Sequence, residues 1–300
     1  MVDEEAHLRK RGSRAIAKCA RWPSMGNDQA VSTGPRTFHH RSFAPEELVA
    51  ARAGRLVSVC VPARNEATTV GAVVAVVRAA LMGAGGGVDL VDEVVVVDDG
   101  STDDTAAVAT RAGARVVAAG KEGGGKGEAM RVALAESSGE LVVFLDADVE
   151  NMTPHFVTGL LGPLLLASDV ALVKGFYERP LHGRPGEGGR VTELMARPLL
   201  DLLFPAIADV RQPLAGETAA PRAVLEKTGL ASGYGVELGL LVDVAERFGA
   251  ESVAQVDLGV RVHRNRPLSE LRHQATDVLR AALARAGGRG AGNGLPPGPG

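Results

Sequence analysis

Residues Leu141–Glu150 read LVVFLDADVE. Five apolar residues run straight into Asp146-Ala147-Asp148. A short apolar run bounded by charge predicts a buried strand. A buried strand has no use for two carboxylates at its end. In extended backbone, positions two apart point the same way, so Asp146 and Asp148 converge. Such a pair suits a hard divalent cation with oxygen ligands, Mg²⁺ or Mn²⁺, which bridges carboxylates to substrate phosphates. The plainer alternative is one aspartate capping the turn and the other exposed, and D-x-D alone does not choose between them.

Upstream of this stretch the pattern alternates. Leu56–Val61 predicts a strand, Thr69–Met82 a helix, Glu93–Val97 a strand and Asp103–Ala112 a helix with Ser101 or Thr102 as N-cap. Arg115–Ala118 predicts a strand, Lys126–Ser137 a helix, and Glu140–Leu145 the strand that carries the aspartates. The β-α-β-α-β-α-β order implies a mostly parallel sheet with helices on both faces, an α/β fold. In such sheets ligands sit at the carboxyl ends of the strands. The sharpest polar clusters, PARNE, DDGST, KEGGGKGE and DADVE, all fall there. Downstream, a helix from Thr153-Pro154 to Ala167, a strand Val170–Tyr177, helices near Val191–Ile207 and Val236–Phe248, and a strand Ser252–Leu258 are expected.

The chain of 300 residues is 45% hydrophobic but only 3% aromatic, so its core is built from Val, Leu and Ala. The formal net charge of -3 argues against general nucleic-acid binding. Cys19 and Cys60 are the two cysteines and suggest neither a disulfide framework nor a cysteine metal site. No apolar run approaches the roughly 18–20 residues that span a bilayer, and the N-terminus lacks the apolar core of a signal peptide. A cytoplasmic protein is expected. The organisation expected is a flexible basic extension over 1–40, a first half over 41–150, a second half over 151–286 and a disordered Gly/Pro-rich tail over 287–300.

The remaining clusters are ambiguous singly. Gly120–Lys126 fits the G-x-x-x-x-G-K frame of a phosphate loop, but Gly127 stands where a Mg²⁺-binding hydroxyl is required. A glycine-rich turn before a helix still offers N–H groups and a dipole to an anion. Asp98, Asp99 and Ser101 could accept from ribose or a base edge, or simply start a helix. Pro62-Ala63-Arg64-Asn65-Glu66 has the same ambiguity. No G-x-G-x-x-G follows the first strand, which disfavours a nicotinamide dehydrogenase.

Taken in order, VSVCVPARNE, VVVVDDGSTDDT, GKGEAM and VVFLDADVE resemble the GT-A glycosyltransferases that use nucleotide-sugars. KGFYERP, GGRVTEL, QPLAGE, SGYGVE and VRVHRNRPLSEL narrow the resemblance to the glucosyl-3-phosphoglycerate synthase family, over about Arg41 to Leu283. The resemblance implies a GT-A fold with a smaller helical acceptor-binding C-terminal part. It also implies retaining transfer of glucose from UDP-glucose to the 2-hydroxyl of 3-phosphoglycerate, at the start of glucosylglycerate and methylglucose polysaccharide synthesis.

Position by position, it implies that Pro62, Ala63, Arg64 and Glu66 line the uridine pocket with Asp98, Asp99 and Ser101. Lys126 lies near the nucleotide, and Ala147 lies between the aspartates. Asp148 and His263 hold the Mg²⁺ or Mn²⁺, and Asp146 and Leu214 flank the sugar. Glu237 approaches from the acceptor side, helped by Tyr234; Glu237 and Asp146 are the catalytic candidates. Gly189, Arg190, Thr192, Arg261 and Asn265 meet the acceptor's phosphate and carboxylate, and Arg266 meets the donor diphosphate. Arginine suits those anions, because its fork matches phosphate and carboxylate geometry. A homodimer is a further implication of the family. The alternatives are a related transferase, such as a mannosyl-3-phosphoglycerate synthase or a polyprenyl-phosphate glucosyltransferase, a P-loop phosphotransferase on Gly120–Lys126, and a silent nucleotide-sugar sensor.

Overall fold

The computed structural model describes residues 34–83, 86–120, 124–179, 189–263 and 268–287. Among the described residues eight strands form one sheet: β1 (Arg36–His39), β2 (Val57–Ala63), β3 (Glu93–Asp98), β4 (Arg115–Ala118), β5 (Leu141–Phe144), β6 (Leu172–Glu178), β7 (Thr218–Pro221) and β8 (Val253–Val260). Their spatial order is β1-β8-β6-β7-β5-β2-β3-β4. β7 runs antiparallel to β5 and β6. The other pairings are parallel. The α/β reading is borne out.

The valine-rich runs make sense in this setting. A parallel strand in the middle of a two-faced sheet buries both sides and reads as continuous apolar sequence. Alternation then sorts each strand between two cores. Val57, Val59 and Val61 of β2 pack with Val94, Val96, Leu141 and Val143 on one face. That face is covered by α2 (Val70–Leu81) and α5 (His155–Leu166), with Phe43 and Leu48 beneath. Cys60, Val95, Val97, Val142 and Phe144 face the other core. There they meet α4 (Lys126–Glu136) and α8 (Val236–Phe248).

After β2 the chain builds outward to β3 and β4, then returns to place β5 on the other side of β2. This reversal of strand order leaves a crevice at the carboxyl ends of the strands, where α/β sheets bind ligands.

Several elements depart from expectation. The extension expected over 1–40 ends earlier, since Arg36–His39 pairs with β8 as an edge strand. Helix α1 (Pro45–Ala51) starts at a proline in its first turn, a favoured position. The short β7 lies inside QPLAGETAAP, too brief and small-residued to read as a strand. The second half thus gives three strands, β6, β7 and β8, to the same sheet, where two were expected. Besides α5, its helices include α6 (Arg197–Leu203), α7 (Arg222–Thr228), α8 and the long α9 (Leu268–Gly287). The start of α3 (Thr105–Arg111) also differs: Asp104 is its N-cap, not Ser101 or Thr102. Asp103 accepts from the Thr105 N–H at 3.0 Å. Ser101 and Thr102 are committed to the neighbouring loop. The expected tail beyond residue 287 and most of the extension lie outside the described residues.

Candidate active site

A cleft opens at the carboxyl ends of β2, β3 and β5. Pro62, Ala63, Arg64, Glu66, Asp99 and Lys126 line one side, and Asp146, Ala147, Asp148, Leu214, Tyr234 and Glu237 continue it. Gly189, Arg190, Thr192, Arg261 and His263 complete the set of expected residues that meet here. Asp98 and Ser101 are not in this lining. The Asp98 Oδ1 accepts from the Ser101 N–H at 3.3 Å. The Ser101 hydroxyl accepts from the Asn65 N–H at 2.9 Å, and Asn65 Oδ1 accepts from the Thr102 N–H at 2.8 Å. These two residues thus shape the cleft by clamping its two loops together. Asn265 and Arg266, assigned to acceptor and diphosphate, lie outside the described residues.

Asp99 is the notable group of the nucleotide side. It is buried, and its Oδ1 has no hydrogen-bond partner among the described residues. Burial raises its pKa; Arg64, 3.9 Å from Oδ2, and the backbone N–H groups of Gly125 and Gly124 oppose that. A buried carboxylate oxygen without a donor is costly, and a ring N–H of a base would satisfy it.

The floor is a network of alternating charge. Lys126, in the first turn of α4, places Nζ 2.6 Å from Asp146 Oδ1 and 2.6 Å from Glu237 Oε1. Burial works against its ammonium, but Asp146 and Glu237 outweigh that and raise its pKa. Arg261 is 3% exposed and donates to Asp146 Oδ2 at 2.9 Å and Asp148 Oδ1 at 2.5 Å. For Asp146, burial pushes the pKa up, yet Lys126 and Arg261 hold it far below the usual carboxylate range. Arg261, assigned to the acceptor, is thus first of all the cation that joins the two aspartates. Its Nε lies 3.3 Å from Glu217, and its Nη1 donates to the Tyr177 hydroxyl at 2.9 Å. That hydroxyl donates to Glu217 Oε2 at 2.6 Å and accepts from Arg179 at 2.8 Å.

Two glycines permit this packing. A Cβ on Gly216 would sit 2.0 Å from Asp146 Oδ1, so the carboxylate rests on bare backbone. A Cβ on Gly127 would meet the Ala231 carbonyl at 1.9 Å. The hydroxyl side chain that a phosphate loop needs at that position therefore has no room. Lys126, committed to Asp146 and Glu237, does not act as a phosphate-loop lysine either.

The donor set fits a divalent cation. An antiparallel bridge between Val149 and His263 brings His263 to the strand end that carries Asp148, and both residues line the cleft within electrostatic reach of each other. Burial and then Arg261 lower the His263 pKa to about 4, which keeps the ring in its neutral, ligating form. Among the described residues no three His, Cys, Asp or Glu groups enclose a metal. One carboxylate and one imidazole with open positions is the arrangement for an ion that takes its other ligands from phosphates and water.

Comparison with known proteins follows the same lines. Residues 58–183 match the model of glycosyl transferase family 2. The glucosyl-3-phosphoglycerate synthase of Mycolicibacterium smegmatis is 47% identical over 271 residues, 86% of this chain and 87% of that one. The chain belongs to the glucosyl-3-phosphoglycerate synthase family. The synthase of Petrotoga mobilis is 41% identical over 263 residues, 83% of this chain and 80% of its own. A crystal structure of the Mycobacterium tuberculosis family member, in complex with Mn²⁺, UDP-glucose and phosphoglyceric acid, superposes with a TM-score of 0.75. It is 46% identical and covers 84% of this chain and 88% of its own. Another, with Mn²⁺, UDP and glucosyl-3-phosphoglycerate, gives 0.76 at 46% identity over 84% and 88%.

Lys174, Tyr177, Arg179 and Glu217 lie in the motifs KGFYERP and QPLAGE but carry no individual role in the sequence reading, although Tyr177 and Glu217 support the floor directly. Their signal was present: a lysine inside the apolar run ALVKGFY, and a lone glutamate in LAGETAAP. Helix α9 also adds Leu271, Gln274 and Val278 to the cleft, a contribution that no local motif announces.

Proposed function

We propose that this chain transfers glucose from UDP-glucose to the 2-hydroxyl of 3-phosphoglycerate with retention of configuration, giving glucosyl-3-phosphoglycerate. One observation carries the chemistry: the strand-end pair Asp146 and Asp148, with His263 at the same strand end, set in a cleft lined by basic groups. Asp148 and His263 would hold Mg²⁺ or Mn²⁺. When bound, the ion supplies Lewis-acid neutralisation of the leaving diphosphate. Arg64, Glu66 and the orphaned oxygen of Asp99 receive the nucleoside. Gly189, Arg190, Thr192 and Asn265 receive the acceptor's anionic groups, and Arg266 the diphosphate. Arg261 contributes positive charge from below.

The transfer breaks the bond between the anomeric carbon and the β-phosphate oxygen and forms one to the acceptor oxygen. The proton of the 2-hydroxyl leaves with UDP. Glu237 and Asp146 both sit within 2.6 Å of Lys126, and ion-paired carboxylates are weak nucleophiles. This pairing supports a direct front-face substitution, in which the two stabilise positive charge on the sugar. Under the same reading the enzyme works in the cytoplasm at the entry to methylglucose polysaccharide synthesis. A second copy would cover exposed Leu194, Leu202 and Leu283 in a homodimer.

The test is UDP release from UDP-glucose, with and without 3-phosphoglycerate and Mn²⁺, and with GDP-mannose as the control donor. Release is expected to need both additions. Release indifferent to 3-phosphoglycerate would remove the acceptor assignment.

A further inference from the structure

Lys174 stands in the middle of β6 and is 1% exposed. Its ammonium donates to the Ala215 carbonyl at 2.5 Å and to the Thr218 hydroxyl at 2.9 Å. Among the described residues no carboxylate closes a salt bridge on it. The charged groups around it come from four other elements. They are Glu237 at the start of α8, Lys126 at the start of α4, Glu217 just before β7, and Asp146 just after β5. Burying an ammonium without a paired carboxylate costs several kcal/mol. Methionine would fill much the same volume without that penalty.

Ala215 explains the charge. The residue before it, Leu214, lines the cleft. The residue after it, Gly216, is the bare backbone against which the Asp146 carboxylate rests. A single charge-assisted hydrogen bond to the carbonyl between them therefore registers both. Other tethers hold the segment on either side: the Arg211 N–H donates to Gln255 Oε1 at 3.0 Å and Gln212 to the Tyr177 carbonyl at 2.5 Å, the Ala215 N–H turns back to the Gln212 carbonyl at 3.1 Å, and the Glu217 carbonyl accepts from the Gly175 N–H at 2.8 Å. The Thr218 hydroxyl reaches the Ala215 carbonyl only at 3.3 Å.

We propose that Lys174 is a positioning residue for glucosyl transfer: its buried ammonium fixes the Leu214–Gly216 loop, and through it Asp146, against the sugar. This rests on the reading above, in which Leu214 and Asp146 flank the transferred glucose. Deprotonation weakens the hold, since a neutral amine is a poorer donor than an ammonium. Burial lowers the pKa of Lys174 to about 8, against the pull of Glu237. The grip on the loop therefore fades as pH rises through that value.

The experiment compares wild type with Lys174→Met on UDP-glucose, 3-phosphoglycerate and Mn²⁺. It reads kcat, each KM, UDP affinity by calorimetry, and kcat against pH. Expected is a kcat lower by about 30- to 100-fold, the scale of a misplaced catalytic group, with UDP affinity within about threefold. The decline of wild-type kcat above about pH 8 is expected to be absent in the variant. Wild-type kcat in Lys174→Met, or parallel losses of kcat and UDP affinity, overturns the proposal. Should that variant not fold, the wild-type profile and Thr218→Val decide. A wild-type kcat flat across the alkaline range overturns it, while Thr218→Val, which keeps the bond to Ala215, is expected within about threefold of wild type. The wild-type reaction separates the two failures. No glucoside from wild-type protein overturns the transfer reading, whereas equal glucoside from both proteins overturns only the role of Lys174.

Discussion

At the scale of single residues, the site divides into groups proposed to meet substrate and groups that hold those groups still. The first kind was largely legible, because Arg64, Asp99, Asp146, Asp148 and His263 fall in short clusters at strand ends. The second kind was not. Tyr177 reaches Glu217 across 40 residues of sequence, and Lys174 reaches Ala215 across 41. No spacing rule connects partners so far apart, so only their oddity in apolar surroundings and their place in the family-like motifs KGFYERP and QPLAGE marked them. The two kinds also predict different failures. Asp148→Ala removes a proposed metal ligand and one partner of Arg261, which keeps its contacts to Asp146 and Glu217. Its Mn²⁺ affinity, followed by the electron paramagnetic resonance of free Mn²⁺, is expected to fall at least about 30-fold, with about 100-fold or more lost in transfer. Unchanged Mn²⁺ binding would move the metal away from this aspartate.

At the scale of elements, the central strands were readable because parallel strands buried on both faces must be apolar throughout. β1 and β7 were not, each being only 4 residues long and lacking a β-branched run. Their partners decide that they are strands. The amino ends of β2 and β3 show how elements are joined away from the cleft. Glu93 at the start of β3 accepts from Ser58 of β2 at 2.7 Å and from the Ser138 N–H and hydroxyl at 2.5 and 2.9 Å. Arg115 of β4 adds a contact at 3.1 Å. Burial pushes the Glu93 pKa up, but these donors outweigh it and bring it down to about 2. A carboxylate with a depressed folded pKa contributes stability that is present above its unfolded value and lost as pH falls through the folded one. The window here runs from about 4.5 down to about 2. Glu93→Gln is expected to be less stable at neutral pH by about 1–2 kcal/mol after solvent screening. Its denaturation midpoint should also change less than that of wild type across that acid window. Parallel acid limbs in the two proteins would remove Glu93 from the linkage.

At the scale of the whole molecule, the sheet explains why one cleft gathers residues from both ends of the chain. The strand order reverses at β2, and the second half inserts β7 antiparallel beside β5 rather than forming a body of its own. That insertion delivers Leu214, Gly216 and Glu217 to the same spot as Asp146. The bridge between Val149 and His263 then closes the far end. The proposed donor and acceptor sides thus belong to two halves of one sheet, as direct transfer between two bound substrates would require. The most direct measurement follows the transferred carbon itself, using UDP-glucose labelled with carbon-13 at the anomeric position, 3-phosphoglycerate and Mn²⁺. Expected is a new α-anomeric resonance correlated by NMR with carbon 2 of the glycerate. A β-anomeric product, or free glucose in its place, would contradict retaining transfer to 3-phosphoglycerate at Asp146 and Asp148.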